Sequence, residues 1–315
     1  MIEKVERIMD ISGLAVKMLI FVVLMVIGYA CAKTGYMDKG FTKTANWLVI
    51  NVFMSATIIN SVLTVEVNMG WAELGECLLV LSVELLLCYL LAAAVSRLLP
   101  LKRGHAPLFE LLLASSNNIF IALPVAEELF GPMAVFYCSL SCIPFNIMLY
   151  TYGVWRLKSG EGGGIRVKDI LTVPLVVTLI STAIFIFKIP IPAAVRELLS
   201  CMSGATMPLS MIVIGASLGS VSLLDAFKIK NWDLYLMSFL RLIVSPLLVL
   251  AVCRLLTDDP VLLFTSVVIG ASPSAVIISV LTMQYGKDGI YSSEGVLHST
   301  VLSMLTIPLM MYFLI

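Results

Sequence analysis

Ten times along its 315 residues the chain passes through a run of predominantly apolar residues, each closed by a polar or Pro/Gly-rich joint. The runs are close to the roughly 20 residues a helix needs to cross the hydrocarbon layer of a bilayer. In that layer water cannot bond backbone N–H and C=O groups, so only helices and closed barrels are tolerated. The runs lie near 14–32, 45–64, 72–97, 107–128, 132–154, 169–187, 195–219, 232–255, 261–283 and 289–313, and we read them as spanning helices. Hydrophobic residues make up 60% of the chain and charged residues 13%, against about 45–50% and about 25% in soluble domains. The expected fold class is an all-α polytopic membrane protein with ten transmembrane helices.

Two of the runs are broken. Asn117-Asn118 precede Pro124 in the fourth, and Ser272-Pro273-Ser274 interrupt the ninth. Pro124 has no amide hydrogen, and its ring clashes with the carbonyl of Phe120, so the fourth run is expected to kink or unwind from about Asn117 to Phe120. Freed backbone groups at membrane depth survive only where protein or a wet cavity satisfies them, and paired breaks in two halves of a chain point to a substrate site between them. A constant shift of 155 positions carries Asn117-Asn118 onto Ser272-Pro273, Phe130-Gly131 onto Tyr285-Gly286 and Lys33 onto Lys188. Residues 1–154 and 169–315 therefore read as two five-helix repeats joined by a Gly-rich linker at 155–168. Five is odd, so the second repeat is expected to enter the membrane in the opposite sense, giving a 5+5 inverted repeat with broken crossover helices four and nine.

Charge sets the expected orientation. Thirteen of the 20 Lys and Arg residues fall in the joints after the first, third, fifth, seventh and ninth runs and six on the opposite side, while Arg241 lies within a run. The positive-inside rule then places both termini outside the cytoplasm and the 155–168 linker within it, as expected for a multi-pass protein of the plasma membrane. Net charge is zero and the basic residues are scattered, which argues against a nucleic-acid partner. Seven cysteines without Cys-x-x-Cys spacing, and two histidines in all, argue against a disulfide framework or a metal site. The 17 methionines lack clustered His or Cys partners and read as adaptable packing. The Gly run within 159–164 has no following Lys-Ser/Thr and no preceding strand, so it reads as a linker and not a phosphate loop. Ala30-Cys31-Ala32 resembles a signal-peptidase site, but the mixed charge before the first run and its near-full length argue against cleavage.

Where two broken helices cross, their half-helix N-termini offer N–H groups and the positive end of a dipole, an anion site without a formal cation. Asn117 and Ser272, with backbone groups near Asn118 and Ser274, are the expected ligands of a small anion, kept available by Pro124 and Pro273. Glu84 and Arg241 lie deepest among the charged residues and read either as a coupling carboxylate and a substrate counter-charge or as structural groups, with snorkelling a further reading of Arg241. Asn51, Asn60 and Asn146 are candidates for lining a cavity. His298 is suited to relaying protons or to packing as a neutral ring.

These motifs resemble the auxin efflux carrier family. The family's Gly-Asn-Thr-Gly-Phe-Leu-Gly-Leu-Pro pattern is similar to Ser116 through Pro124, and its later pattern to Pro273 through Gln284-Tyr285-Gly286-Lys287-Asp288. Met207-Pro208-Leu209 through Gly215-Ala216-Ser217-Leu218 and Pro308 also fit. Asn118 stands where the family usually has Thr, and Ile119 and Ala122 where it has Gly, which leaves substrate identity open. The resemblance implies a fold related to sodium–bile acid carriers, with runs four and nine in a mobile core, runs one, two, six and seven in a scaffold, and an elevator motion. It leaves room for a homodimer formed through the scaffold helices. The function expected is secondary transport of a small organic anion, a carboxylate such as a dicarboxylate or an auxin-like acid. No cofactor is implied; coupling to H+ or Na+ is open. An anion channel would need rings of charge, a membrane sensor a signalling domain, and an embedded enzyme a catalytic constellation that does not line up.

Overall fold

The computed structural model describes residues 11–64, 69–102, 104–158, 173–219, 227–228 and 230–314. From 159 onward the proposed linker, with Arg166 and Lys168, lies outside the described residues, as does the charged segment before residue 11. The described chain is helical throughout. In order it forms α1 (Ile11–Lys33), α2 (39–64), α3 (Trp71–Leu98), α4 (His105–Ala114), α5 (118–130), α6 (Pro132–Lys158), α7 (Val173–Phe187), α8 (Ala193–Gly219), α9 (Trp232–Cys253), α10 (Pro260–Ala271), α11 (Ile277–Gln284) and α12 (Gly289–Leu314).

Among the described residues six helices, α2, α3, α6, α8, α9 and α12, are long and apolar enough to cross a membrane by themselves. The shorter α4 and α10 end at the two polar breaks. Exposure follows the inside-out pattern of a protein solvated by lipid. Leu19 on α1 is 61% exposed while Arg241 on α9 is 0% exposed. Large apolar side chains lie exposed on many of the helices, Val23, Leu86, Leu198, Phe239 and Leu305 among them, an outer surface suited to lipid and not to water. The molecule is a polytopic helical membrane protein.

Four of these helices contain a π turn, at Val49–Phe53 in α2, Asn118–Ala122 in α5, Leu149–Gly153 in α6 and Leu240–Val244 in α9. Each turn inserts one extra residue into the 3.6-residue period and rotates the side chains beyond it, a distortion found mainly at functional sites. One of them corrects the sequence expectation for the fourth run. The chain opens at Ser115–Asn117, and the stretch 118–122 is wound as a π turn. The Ala122 amide donates to the Asn117 carbonyl at 3.1 Å, five residues back. Widening the helix there accommodates the Pro124 ring and moves the open stretch upstream.

Helices α1 and α8 cross backbone to backbone. A Cβ on Gly28 would stand 1.9 Å from the Ile212 carbonyl oxygen, and one on Gly215 would stand 1.9 Å from that of Met25. Small residues permit this approach, which gives membrane helices dispersion contacts that lipid cannot better.

Candidate functional site

The two breaks meet and complete each other's hydrogen bonding. The Asn117 amide donates to the Pro273 carbonyl at 2.9 Å, and the Ala275 amide donates to the Ser115 carbonyl at 2.9 Å. Ser116 and Ser274 thereby face one another in an isolated antiparallel bridge. Pro273 has no donor to lose, so it sits in this extended stretch without leaving an amide unsatisfied.

The C-terminal ends of the half-helices α4 and α10 converge on Arg241. Its Nε donates to the Ser272 carbonyl at 2.8 Å, Nη2 to the Ile269 carbonyl at 3.1 Å, and Nη1 to the Leu113 and Ala114 carbonyls at 3.1 and 3.2 Å. Each helix C-terminus carries about half a negative charge. Two of them offset one guanidinium, which accounts for a fully buried arginine. Because Arg241 is wholly buried and its donors go to backbone, it does not snorkel, and it does not border the cavity described next.

The opposite ends of the break, the first turns of α5 and α11, border a cavity of about 1100 Å³. Its walls are largely apolar, with Trp47, Phe120 and Phe145 among them, and its polar groups include five carboxamides: Asn46, Asn51, Asn117, Asn118 and Asn146. Lys43 and Asp38 are the charged residues of the lining. Asp38 is committed to capping α2, accepting from the Phe41 amide at 2.6 Å. Three of the four π turns contribute to the wall, through Asn51, Asn118 and Tyr150, and the fourth carries Arg241.

The two asparagines at the break differ in what they leave open. Asn117 caps α5, its Oδ1 accepting from the Phe120 amide at 3.4 Å, and its buried Nδ2 has no partner. Asn118 donates from Nδ2 to Ser141 Oγ at 2.9 Å, and its buried Oδ1 has no partner. Ser116 Oγ is likewise buried without a partner. Leaving such atoms unpaired costs about 1–3 kcal/mol each, and all three residues that carry them line the cavity.

Other residues singled out from the sequence are placed elsewhere. Ser272, Pro273 and Ser274 are not part of the lining. The Ser272 hydroxyl donates to the Val268 carbonyl at 2.8 Å and that of Ser274 to the Leu112 carbonyl at 2.7 Å. Their helix break instead delivers Ala275, Val276 and Ile277 to the wall. Glu84 is buried on α3, accepting from Cys88 Sγ at 3.6 Å and interacting electrostatically with Arg241. His298 bonds Ser238 Oγ at 2.8 Å and packs between the rings of Phe227 and Tyr235, away from the cavity. Pro124 and Asn60 also lie off the lining, whereas Asn51 and Asn146 are on it, their Nδ2 atoms donating to the Trp47 and Cys142 carbonyls. Asn46, which donates to Ser217 Oγ at 3.2 Å, was not distinguished by the sequence, nor was Ser116. Both are polar residues in apolar runs, and that signal is shared by many that face elsewhere.

Comparison with known proteins agrees with the carrier-like geometry. Residues 164–311 match the family described as Membrane transport protein. An uncharacterized transporter of Methanocaldococcus jannaschii is 28% identical over 305 residues, covering 92% of this chain and 96% of the relative. An uncharacterized transporter of Methanothermobacter thermautotrophicus is 26% identical over 291 residues, covering 91% and 94%. The matched C-terminal portion and the two transporter relatives together support a membrane transport family of the auxin efflux carrier type. In this chain the paired breaks and the cavity are one continuous feature, with the cavity at the N-terminal ends of α5 and α11 and Arg241 at the C-terminal ends of α4 and α10.

Proposed function

We propose that the protein is a secondary carrier of a small organic anion, a carboxylate bound in the cavity beside the two breaks. The observation that carries this reading is polarity. The first turns of α5 and α11 border the cavity, and so does Asn117, whose Nδ2 is buried without a partner. Two half-helix N-termini amount to about one positive charge, enough to balance one carboxylate. Asn117 is the donor that contacts it, and Asn118, Ser116 and the Ala275–Ile277 backbone complete the site. Ser272, Pro273 and Ser274 act by holding that backbone in place.

Counted with α4–α5 and α10–α11 as single broken spans, the helices make ten crossings in two five-helix halves, 1–154 and 169–315. The 155-residue shift supports this count: α4 begins at His105 and α10 at Pro260, and Gly131 and Gly286 take positive φ angles of 76° and 63° just beyond α5 and α11. Transport proceeds by alternating access, the elements that carry the breaks moving past a scaffold of α1, α2, α7 and α8. The tight glycine crossing of α1 on α8 supports a rigid scaffold. In the orientation set by the Lys and Arg distribution, with both termini outside the plasma membrane, the cavity is bordered by cytoplasmic joints at Gly35–Lys43, Val173 and Gly219, so the conformation is inward-facing. A homodimer through the scaffold helices fits the same arrangement.

A thermal-shift screen of small mono- and dicarboxylates on the purified protein tests the site. At least one is expected to stabilise the wild type more than an Asn117→Ala variant; equal stabilisation of both rejects it. Saturable uptake by proteoliposomes supports a carrier, whereas unitary currents in a bilayer recording would establish a channel instead.

A further inference from the structure

Arg241 occupies a position that demands a cation whatever the substrate is. Four main-chain oxygens, those of Leu113, Ala114, Ile269 and Ser272, point at one place from the ends of two different half-helices. In carriers built on broken helices, unwound carbonyls and half-helix C-termini are where a coupling cation is held. Here a side chain of the protein fills that place. The guanidinium arrives from α9 on the π turn Leu240–Val244, which aims it between the ends of α4 and α10. It satisfies carbonyls from both and is 0% exposed. Glu84 on α3 adds a carboxylate to the same buried region.

We infer that Arg241 is a resident cation that substitutes for a bound monovalent metal ion at the C-terminal ends of the two half-helices. The inference concerns cation binding and does not require the anion to be identified; only its consequence, anion movement without Na+ coupling, rests on the carrier reading. A fixed cation travels with the protein in both directions of the cycle, so it keeps the breaks assembled without drawing on an ion gradient. Arg241 touches no part of the cavity, and its role toward the anion is positioning. By tying Ser272 of one break to Leu113 and Ala114 of the other, it holds the first turns of α5 and α11 in register on the far side.

The test is thermal unfolding of the purified full-length protein in buffers containing NaCl, KCl or choline chloride, with and without a few millimolar guanidinium chloride. Wild type is expected to melt at the same temperature in all three salts. The Arg241→Ala variant is expected to melt lower and to recover by several degrees with guanidinium, or with Na+ over choline. Arg241→Lys, which keeps the charge, is expected to fold and to remain indifferent to Na+. A wild type stabilised by Na+ over choline overturns the inference. A folded Arg241→Ala protein that responds to neither cation overturns it too. If Arg241→Ala cannot be isolated even when extracted with guanidinium present, the Lys variant decides: failure of both shows that charge is not what the position supplies. Carboxylate stabilisation of the wild type is measured in the same assay, so loss of the anion reading and loss of the cation reading are separate results.

Discussion

Asn117 concentrates several tasks in one carboxamide. Its Oδ1 caps α5 while its buried Nδ2 has no partner, and the residue lines the cavity. The capping bond contributes about 1 kcal/mol to the fold, and a hydrogen bond from Nδ2 to a carboxylate about 1.5–3 kcal/mol. Asn117→Ala is therefore expected to weaken binding of a stabilising carboxylate by roughly 10- to 100-fold, with only a modest fall in melting temperature, as checked by calorimetric titration and unfolding of the same sample. Asn117→Asp keeps an acceptor for the cap but places a negative charge at the anion site. It is expected to retain stability better than the Ala variant and to bind the anion worse; an Asp variant that binds as tightly as wild type would show that Nδ2 makes no contact. The asparagine pair was legible in the sequence because two adjacent amides ahead of a proline stand out in an apolar run, even though bonding to a neighbouring helix could also account for them. The commitment of the Ser272 and Ser274 hydroxyls was not: a serine one turn from a helix carbonyl, as Ser272 is from Val268, looks the same in sequence whether it faces ligand or backbone, and Ser274 bonds Leu112 on a helix brought to it only by folding.

At the scale of the helix, glycine separates packing from mere flexibility. Gly204 and Gly215 both lie in α8, and a Cβ at Gly204 would meet nothing within 4 Å, whereas one at Gly215 would overlap the Met25 carbonyl. Gly204→Ala is expected to raise stability by about 0.5–1 kcal/mol through lower unfolded-state entropy. Gly215→Ala is expected to lower it by about 1–3 kcal/mol as α1 and α8 are forced apart. Thermal unfolding of the two variants in detergent checks the pair, and equal behaviour would contradict the close crossing. The π turns belong to this scale as well. Nothing in hydropathy announces a single inserted residue, and only after the helices are wound does one see Asn51, Asn118 and Tyr150 turned to one cavity and Arg241 to the opposite side of the breaks.

For the molecule as a whole, the prediction concerns sidedness. Asp258 and Lys287 are both exposed and lie in successive joints. With the termini outside, Asp258→Cys is expected to react with a membrane-impermeant maleimide on intact cells, and Lys287→Cys only after permeabilisation. The reverse pattern would invert the protein in the membrane and make the cavity outward-facing.

The amino-acid sequence by itself determined that the chain is helical and membrane-embedded, that two of its helices break and that the breaks are related by a shift of 155 positions, because apolar length, proline and polar residues at membrane depth act locally along the chain. Tertiary structure alone decided which side of the breaks is open. Asn117, Asn118, Asn46 and Asn146 come from three segments far apart in sequence and share one cavity, while Arg241, from a fourth, closes the opposite side by bonding four carbonyls of two other helices. Carbonyls carry no residue identity, so no pattern of side chains could have shown that an arginine would be spent on them; the convergence of two half-helix C-termini on one point, and the cation that convergence requires, exist only in the folded molecule.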